Sequence, residues 1–121
     1  MDNNIFKVKG TYVNGQWFNS NNTYEVFNPS NGEKLSDVPI SDKKELELAV
    51  ESAKKAQAIW SKTPLIERVK CLEELSKKIL EREEEFALID SYDSGNALTG
   101  MRKDVKETVN NIRYFCGLVR E

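Results

Sequence analysis

Histidine is absent from the chain, and cysteine occurs twice, at Cys71 and Cys116. Without histidine, these 121 residues hold no Ser-His-Asp or Cys-His catalysis, no histidine metal site and no imidazole general base. The two cysteines form no short metal-type pair, and a reduced, cytoplasmic protein is the simplest reading. Long apolar runs are missing too. Phe86-Ala87-Leu88-Ile89 is among the longest, far short of the ~20 residues of a membrane helix. Met1-Asp2-Asn3-Asn4 has neither the basic nor the apolar region of a secretory signal, so none is expected. The net charge of −2 gives no general attraction to nucleic acid or to anionic membranes, and neither is expected as a partner. No G-x-G-x-x-G turn for a dinucleotide occurs. The stretch Gly95–Arg102 resembles a phosphate-binding loop only superficially. Met101 and Arg102 stand where that loop needs lysine and a hydroxyl, and a helix precedes it in place of a strand.

What is present is short β structure followed by amphipathic helix. The length suits one domain. Residues 5–38 read as β. Ile5–Lys9 partly alternates, and Tyr12–Phe18 is a tight hairpin because Asn14-Gly15 favours a two-residue turn with positive φ. Thr23–Phe27 and Lys34–Val38 follow. Between them Pro29 holds Asn28 extended, and Gly32 lets the chain reverse. Such short strands need a partner surface, because an isolated hairpin is marginal in water.

Three helices are expected over residues 41–121. The first spans about Asp42–Ser61, with Asp42-x-x-Glu45 as a capping box and a narrow stripe of Leu46, Ala49, Val50, Ala53, Gln57 and Trp60. The second spans about Pro64–Tyr92, capped by Thr63-Pro64 and lined by Leu65, Val69, Leu72, Leu75, Ile79, Phe86 and Ile89. Its Glu81–Glu85 run reads as a solvated face. Glu73 with Lys77, and Glu74 with Lys78, are i,i+4 pairs. Ser94-Gly95 ends it with a left-handed cap. The third starts between Leu98 and Lys103, with Val105, Thr108 or Val109, Ile112, Phe115 or Cys116, and Val119 inward.

Four residue types invite functional readings, each with a plainer one beside it. Both cysteines read as small hydrophobes rather than nucleophiles, since nothing in the sequence supplies a thiolate-stabilising site. Trp17 and Trp60 read as packing anchors before ligand platforms. Arg68 reads as a partner for a carboxylate or as a cation stacked on Trp60, with an anion site as the weaker option. Asp93 reads as a helix-end residue bonded to local backbone or water.

Taken in order, the motifs resemble the N-terminal end of the aldehyde dehydrogenase superfamily. They are Val13-Asn14-Gly15-x-Trp17, Asn28-Pro29-x-x-Gly32-Glu33, Ala49-x-x-x-Ala53-x-x-Ala56-x-x-x-Trp60, Glu67-Arg68, Asp93-Ser94-Gly95, Asp104-Val105 and Ile112-Arg113-Tyr114-Phe115-x-Gly117. Gly95-Asn96-Ala97 departs from the Gly-Lys-Pro common in the family. The resemblance implies an α+β fragment, N-terminal β-hairpins followed by three amphipathic helices. It would be part of the α/β, Rossmann-like cofactor-binding domain, with 5–38 as hairpins and 41–121 as helices.

In that family a cysteine thiolate attacks an aldehyde, a hydride passes to NAD or NADP, and the thioester is hydrolysed. The resemblance places the nucleophile, the general base and the cofactor phosphates downstream of the matched segment. It therefore implies no catalytic or cofactor-binding residue here, and a chain inactive by itself that binds no cofactor alone. It implies one incomplete metal site, a structural monovalent cation held by the Val26 carbonyl and the Asp93 carboxylate. The expected partner is the remainder of the enzyme, or a second copy held through an exposed apolar face. The competing reading is an independent, non-catalytic α+β protein-interaction module derived from the same fold.

Overall fold

The computed structural model describes residues 3–119, with side chains from residue 5. The chain divides into two compact units, one running up to Lys62 and the other starting at Thr63. Where the length alone suits a single domain, the hairpins and first helix gather separately from the remaining helices.

The first unit opens with a 3-10 helix at Asn3–Phe6, where the alternation of Ile5–Lys9 suggested a strand. Strands β1 (Thr11–Val13) and β2 (Gln16–Phe18) pair antiparallel, with Tyr12 opposite Trp17. Asn14 and Gly15 have φ of 49° and 79°, the backbone that the right-handed twist of a two-residue hairpin requires. Strands β3 (Thr23–Phe27) and β4 (Lys34–Pro39) form a second antiparallel pair, with a register shift between Val26 and Phe27. The turn between them is tied by Asn28. Its backbone amide donates to the Glu33 carbonyl and its carbonyl accepts from Gly32. Its side-chain oxygen accepts from the Ser30 amide at 2.9 Å. These bonds explain how a polar residue only 7% exposed is tolerated there.

Helix α1 (Lys43–Trp60) begins at Asp42, and both halves of the capping box form: Asp42 accepts from the Glu45 amide and Glu45 accepts from the Asp42 amide. Thr11 and Ser41 hydroxyls meet at 2.7 Å, tying β1 to the start of this helix. The half-buried positions are Glu45, Ala49 and Ser52. Most of the stripe read from the sequence lies on the open side: Leu46, Val50, Ala53, Gln57 and Trp60 are exposed. The periodicity is right, but the face it marks is not the one covered within this unit.

The second unit holds α2 (Leu65–Glu81), α3 (Glu83–Ser94) and α4 (Leu98–Leu118), so three expected helices are four. The long second helix breaks at Arg82, with φ −113° and ψ 23°. The Glu81–Glu85 run is therefore not simply a solvated face. Glu83, Glu84 and Glu85 occupy the first turn of α3, where the helix dipole favours negative charge. Arg82 binds Glu85 through two guanidinium nitrogens and lies over the Phe86 ring. Arg102 of α4 binds Glu84 in the same two-nitrogen manner, and Lys106 reaches Glu83 at 3.3 Å.

Helix α4 is the centre of this unit and packs against both α2 and α3. Ala87, Met101 and Val105 form a core cluster, with Ile79 and Leu98 packed on it. Val69, Val109 and Cys116 are also buried. Of the open pairs in the third expected helix, Val109 and Cys116 turn inward, while Thr108 and Phe115 stay exposed. Val119 is exposed as well. The start at Leu98 lies at the early edge of the expected window. Proline serves as the cap residue of α2, one position later than Thr63. Lys77 pairs with Glu74 at 2.6 Å, three residues back.

Candidate functional site

The residues singled out by sequence lie in both units, and each is described within its own. Val26 is half-buried on β3, opposite Ser36, at the last regular position before the register shift. Asp93 is exposed on the last turn of α3. The bonds that finish this helix come from its serines. Ser94 Oγ donates to the Asp90 carbonyl, Ser91 Oγ donates to the Asn96 carbonyl, and the Asn96 amide donates to Ser94 Oγ. Gly95 closes the helix at φ 77°. Among the described residues the Asp93 carboxylate has no protein partner, which leaves water as the partner in the helix-end reading. It sits at the negative end of the helix dipole, where an unpaired carboxylate is disfavoured and a cation is favoured.

Helix α2 carries an unusual cation. Arg68 is half-buried, and its Nε is shut off from solvent with no hydrogen-bond partner among the described residues. The carboxylate pairing expected for it does not reach Nε among the described residues of its unit. Helical spacing sets Leu65 three residues before Arg68, and Leu72 and Leu75 four and seven after it, on one face. All three leucines are exposed, at 46%, 41% and 47%. Nearby, Leu65, Ile66, Val69 and Val119 line an open apolar groove of about 300 Å³ between the ends of α2 and α4. The arrangement was legible in part: an arginine flanked at helical spacing by three leucines is a cation set in an apolar stripe. What the sequence could not show is that its Nε would be dry and unpaired.

No group of three or more acidic or cysteine side chains able to hold a metal ion occurs among the described residues. Cys116 is buried in α4, as a small hydrophobe should be, but Cys71 is exposed on α2. Trp17 stacks tilted on Tyr12 with ring centroids 4.9 Å apart and is 54% exposed. Trp60 is also exposed. A second open cleft of about 300 Å³ lies along α1, lined by Asn14, Leu48, Ser52, Ala56 and Ile59 together with the Glu51–Lys55 ion pair. In the α1 cleft Ser52 Oγ donates to the Ala49 carbonyl of its own helix and Glu51 is held by Lys55, while the groove beside α2 is lined by apolar side chains alone.

The family model for aldehyde dehydrogenases matches residues 17–121. The chain belongs to the aldehyde dehydrogenase family. It is 36% identical over 115 residues to a malonate-semialdehyde dehydrogenase of Shouchella clausii, a match covering 93% of this chain and 23% of that protein. Among solved structures, betaine aldehyde dehydrogenase from Staphylococcus aureus in complex with NAD+ superposes with a TM-score of 0.86. It is 30% identical, and the match covers 92% of this chain and 23% of that one. An NADP-dependent enzyme of E. coli superposes with a TM-score of 0.85 at 25% identity, covering 96% of this chain and 24% of that one. The chain thus spans a little under a quarter of the length of the relatives it matches. Its hairpins and helices are an α+β portion of the aldehyde dehydrogenase fold. No described helix is long and apolar enough to cross a membrane.

Proposed function

We propose that this chain is the N-terminal portion of a cytoplasmic, NAD- or NADP-dependent aldehyde dehydrogenase that oxidises an aldehyde to a carboxylic acid. The family match over residues 17–121 carries this reading. In it, the hairpins and helices form the N-terminal part and outer layer of the cofactor-binding domain. The nucleophilic cysteine, the general base and the cofactor contacts come from the polypeptide that relatives carry outside the matched quarter. The chain's own work is structural: it offers apolar helix faces to that polypeptide and closes one side of its domain. The same exposed faces support self-association when the remainder is missing.

The resemblance also assigns the Val26 carbonyl and the Asp93 carboxylate as oxygen ligands of a structural monovalent cation. Oxygen donors suit a hard cation. On the side of Asp93, the support is a carboxylate without a protein partner at a helix C-terminus.

The test is complementation. The chain is co-expressed with the Shouchella clausii relative trimmed of the 115-residue stretch it matches. Aldehyde-dependent formation of NADH or NADPH is expected from the pair and from neither part alone. A pair that binds but never turns over would instead support a non-catalytic interaction module.

A further inference from the structure

Arg68 combines two features that a finished surface does not. Its Nε is inaccessible to solvent and makes no hydrogen bond among the described residues. Around it, Leu65, Leu72 and Leu75 expose apolar surface that the second unit leaves uncovered. A guanidinium donor removed from water costs stability unless an acceptor meets it, and a carboxylate is the acceptor that matches its charge and fork geometry. Leucines framing such a donor would exclude water around the pair once a partner is seated, as apolar contacts surround the strongest residues of many interfaces. Among the described residues of the second unit, none supplies such an acceptor to Nε. The relatives are more than four times as long as the stretch they share with this chain, which is 23% of one of them.

Resting on the reading that the chain is one portion of an aldehyde dehydrogenase, we infer that Arg68 is a docking residue. Its guanidinium receives a carboxylate from the polypeptide that relatives carry outside the matched quarter, and Leu65, Leu72 and Leu75 pack around that pair. The face on α2 is thus a specific joint with a charged centre. An Asp or Glu flanked by apolar residues is the chemistry it selects.

The experiment uses the tagged 121-residue chain, co-expressed with the trimmed Shouchella clausii relative, and measures how much of the relative is retained. The unaltered chain is expected to retain it. Arg68→Lys keeps the charge but loses the fork, and should retain less. Arg68→Gln and Arg68→Met should retain about tenfold less or worse, because the partner carboxylate is then buried unpaired. Unchanged far-ultraviolet circular dichroism of each variant separates lost docking from lost folding. Equal retention by Arg68→Met overturns the assignment of Arg68 while leaving the enzyme reading intact. Retention by Arg68→Gln equal to that by Arg68→Lys overturns the carboxylate in favour of a backbone carbonyl. A dimer of the chain alone that Arg68→Met dissolves overturns the proposed occupant in favour of a second copy. Failure of the unaltered chain to retain the relative overturns both readings.

Discussion

Gly10 shows how much a single position decides. Its φ is +132°, and a Cβ added there would lie 2.4 Å from the Phe18 carbonyl oxygen. Gly10→Ala should therefore destabilise the first hairpin by roughly 1–3 kcal/mol. Amide exchange at β1 and β2 would report it, and exchange unchanged from the parent chain would contradict the geometry. The two thiols give a second prediction at this scale. Cys71 is exposed and Cys116 is 3% exposed. A water-soluble thiol reagent should label Cys71 in the folded chain and reach Cys116 only with denaturant. Simultaneous labelling would mean that α4 is not held as described. Nothing in the local sequence separated these cysteines: both fall beside apolar helical positions, and only the packing of α4 distinguishes them.

At the scale of elements, caps and charges account for where helices start and stop. The Asp42 and Glu45 box holds the first turn of α1, so Asp42→Ala should cost about 1 kcal/mol and speed amide exchange in that turn. This box was readable directly, because its two residues and their spacing are local chemistry. The break at Arg82 was not. A continuous apolar periodicity ran through it, while the change of direction depends on bonds that cross helices. Arg102 holds the Glu84 carboxyl below the ordinary glutamate range by hydrogen bonding, and Arg82 does the same for Glu85. Groups lowered in the folded chain favour folding while ionised. Their contribution is complete above the unfolded range near pH ~4.3 and is lost as pH falls through the folded values. Acid should therefore loosen the α3–α4 contact first. Arg102→Gln should remove the Glu84 part of that pH dependence, measured as the denaturation midpoint against pH. These side chains are exposed, so the effect is small and should weaken with salt.

The molecule as a whole exposes apolar residues on helix faces that the periodicity marks as inward. Leu46 at 61% and Phe115 at 63% are examples, one from each unit. No buried residue occurs in α1 at all. Such faces outside a finished assembly bind one another or a hydrophobic dye. The isolated chain should bind such a dye and sediment as a concentration-dependent mixture. A monomer with a high, cooperative melting transition would count against this. Supplying the missing polypeptide of the relative should suppress both dye binding and self-association.

The division between sequence and tertiary structure follows from the range of the interactions involved. The hairpin at Asn14-Gly15, the turn at Asn28–Gly32, the capping box at Asp42 and the stop at Gly95 are decided by neighbouring residues, and they were legible from sequence alone. So was the family, because it is carried by the order and spacing of these local features. Which stripe of α1 is covered, where α2 gives way to α3, which cysteine is buried and whether Arg68 meets a partner all depend on groups distant in sequence. A helical stripe states that a face is apolar, not what lies against it. Only packing decides that, and for α2 it leaves the Arg68 Nε dry and without a partner among the described residues, beside exposed leucines.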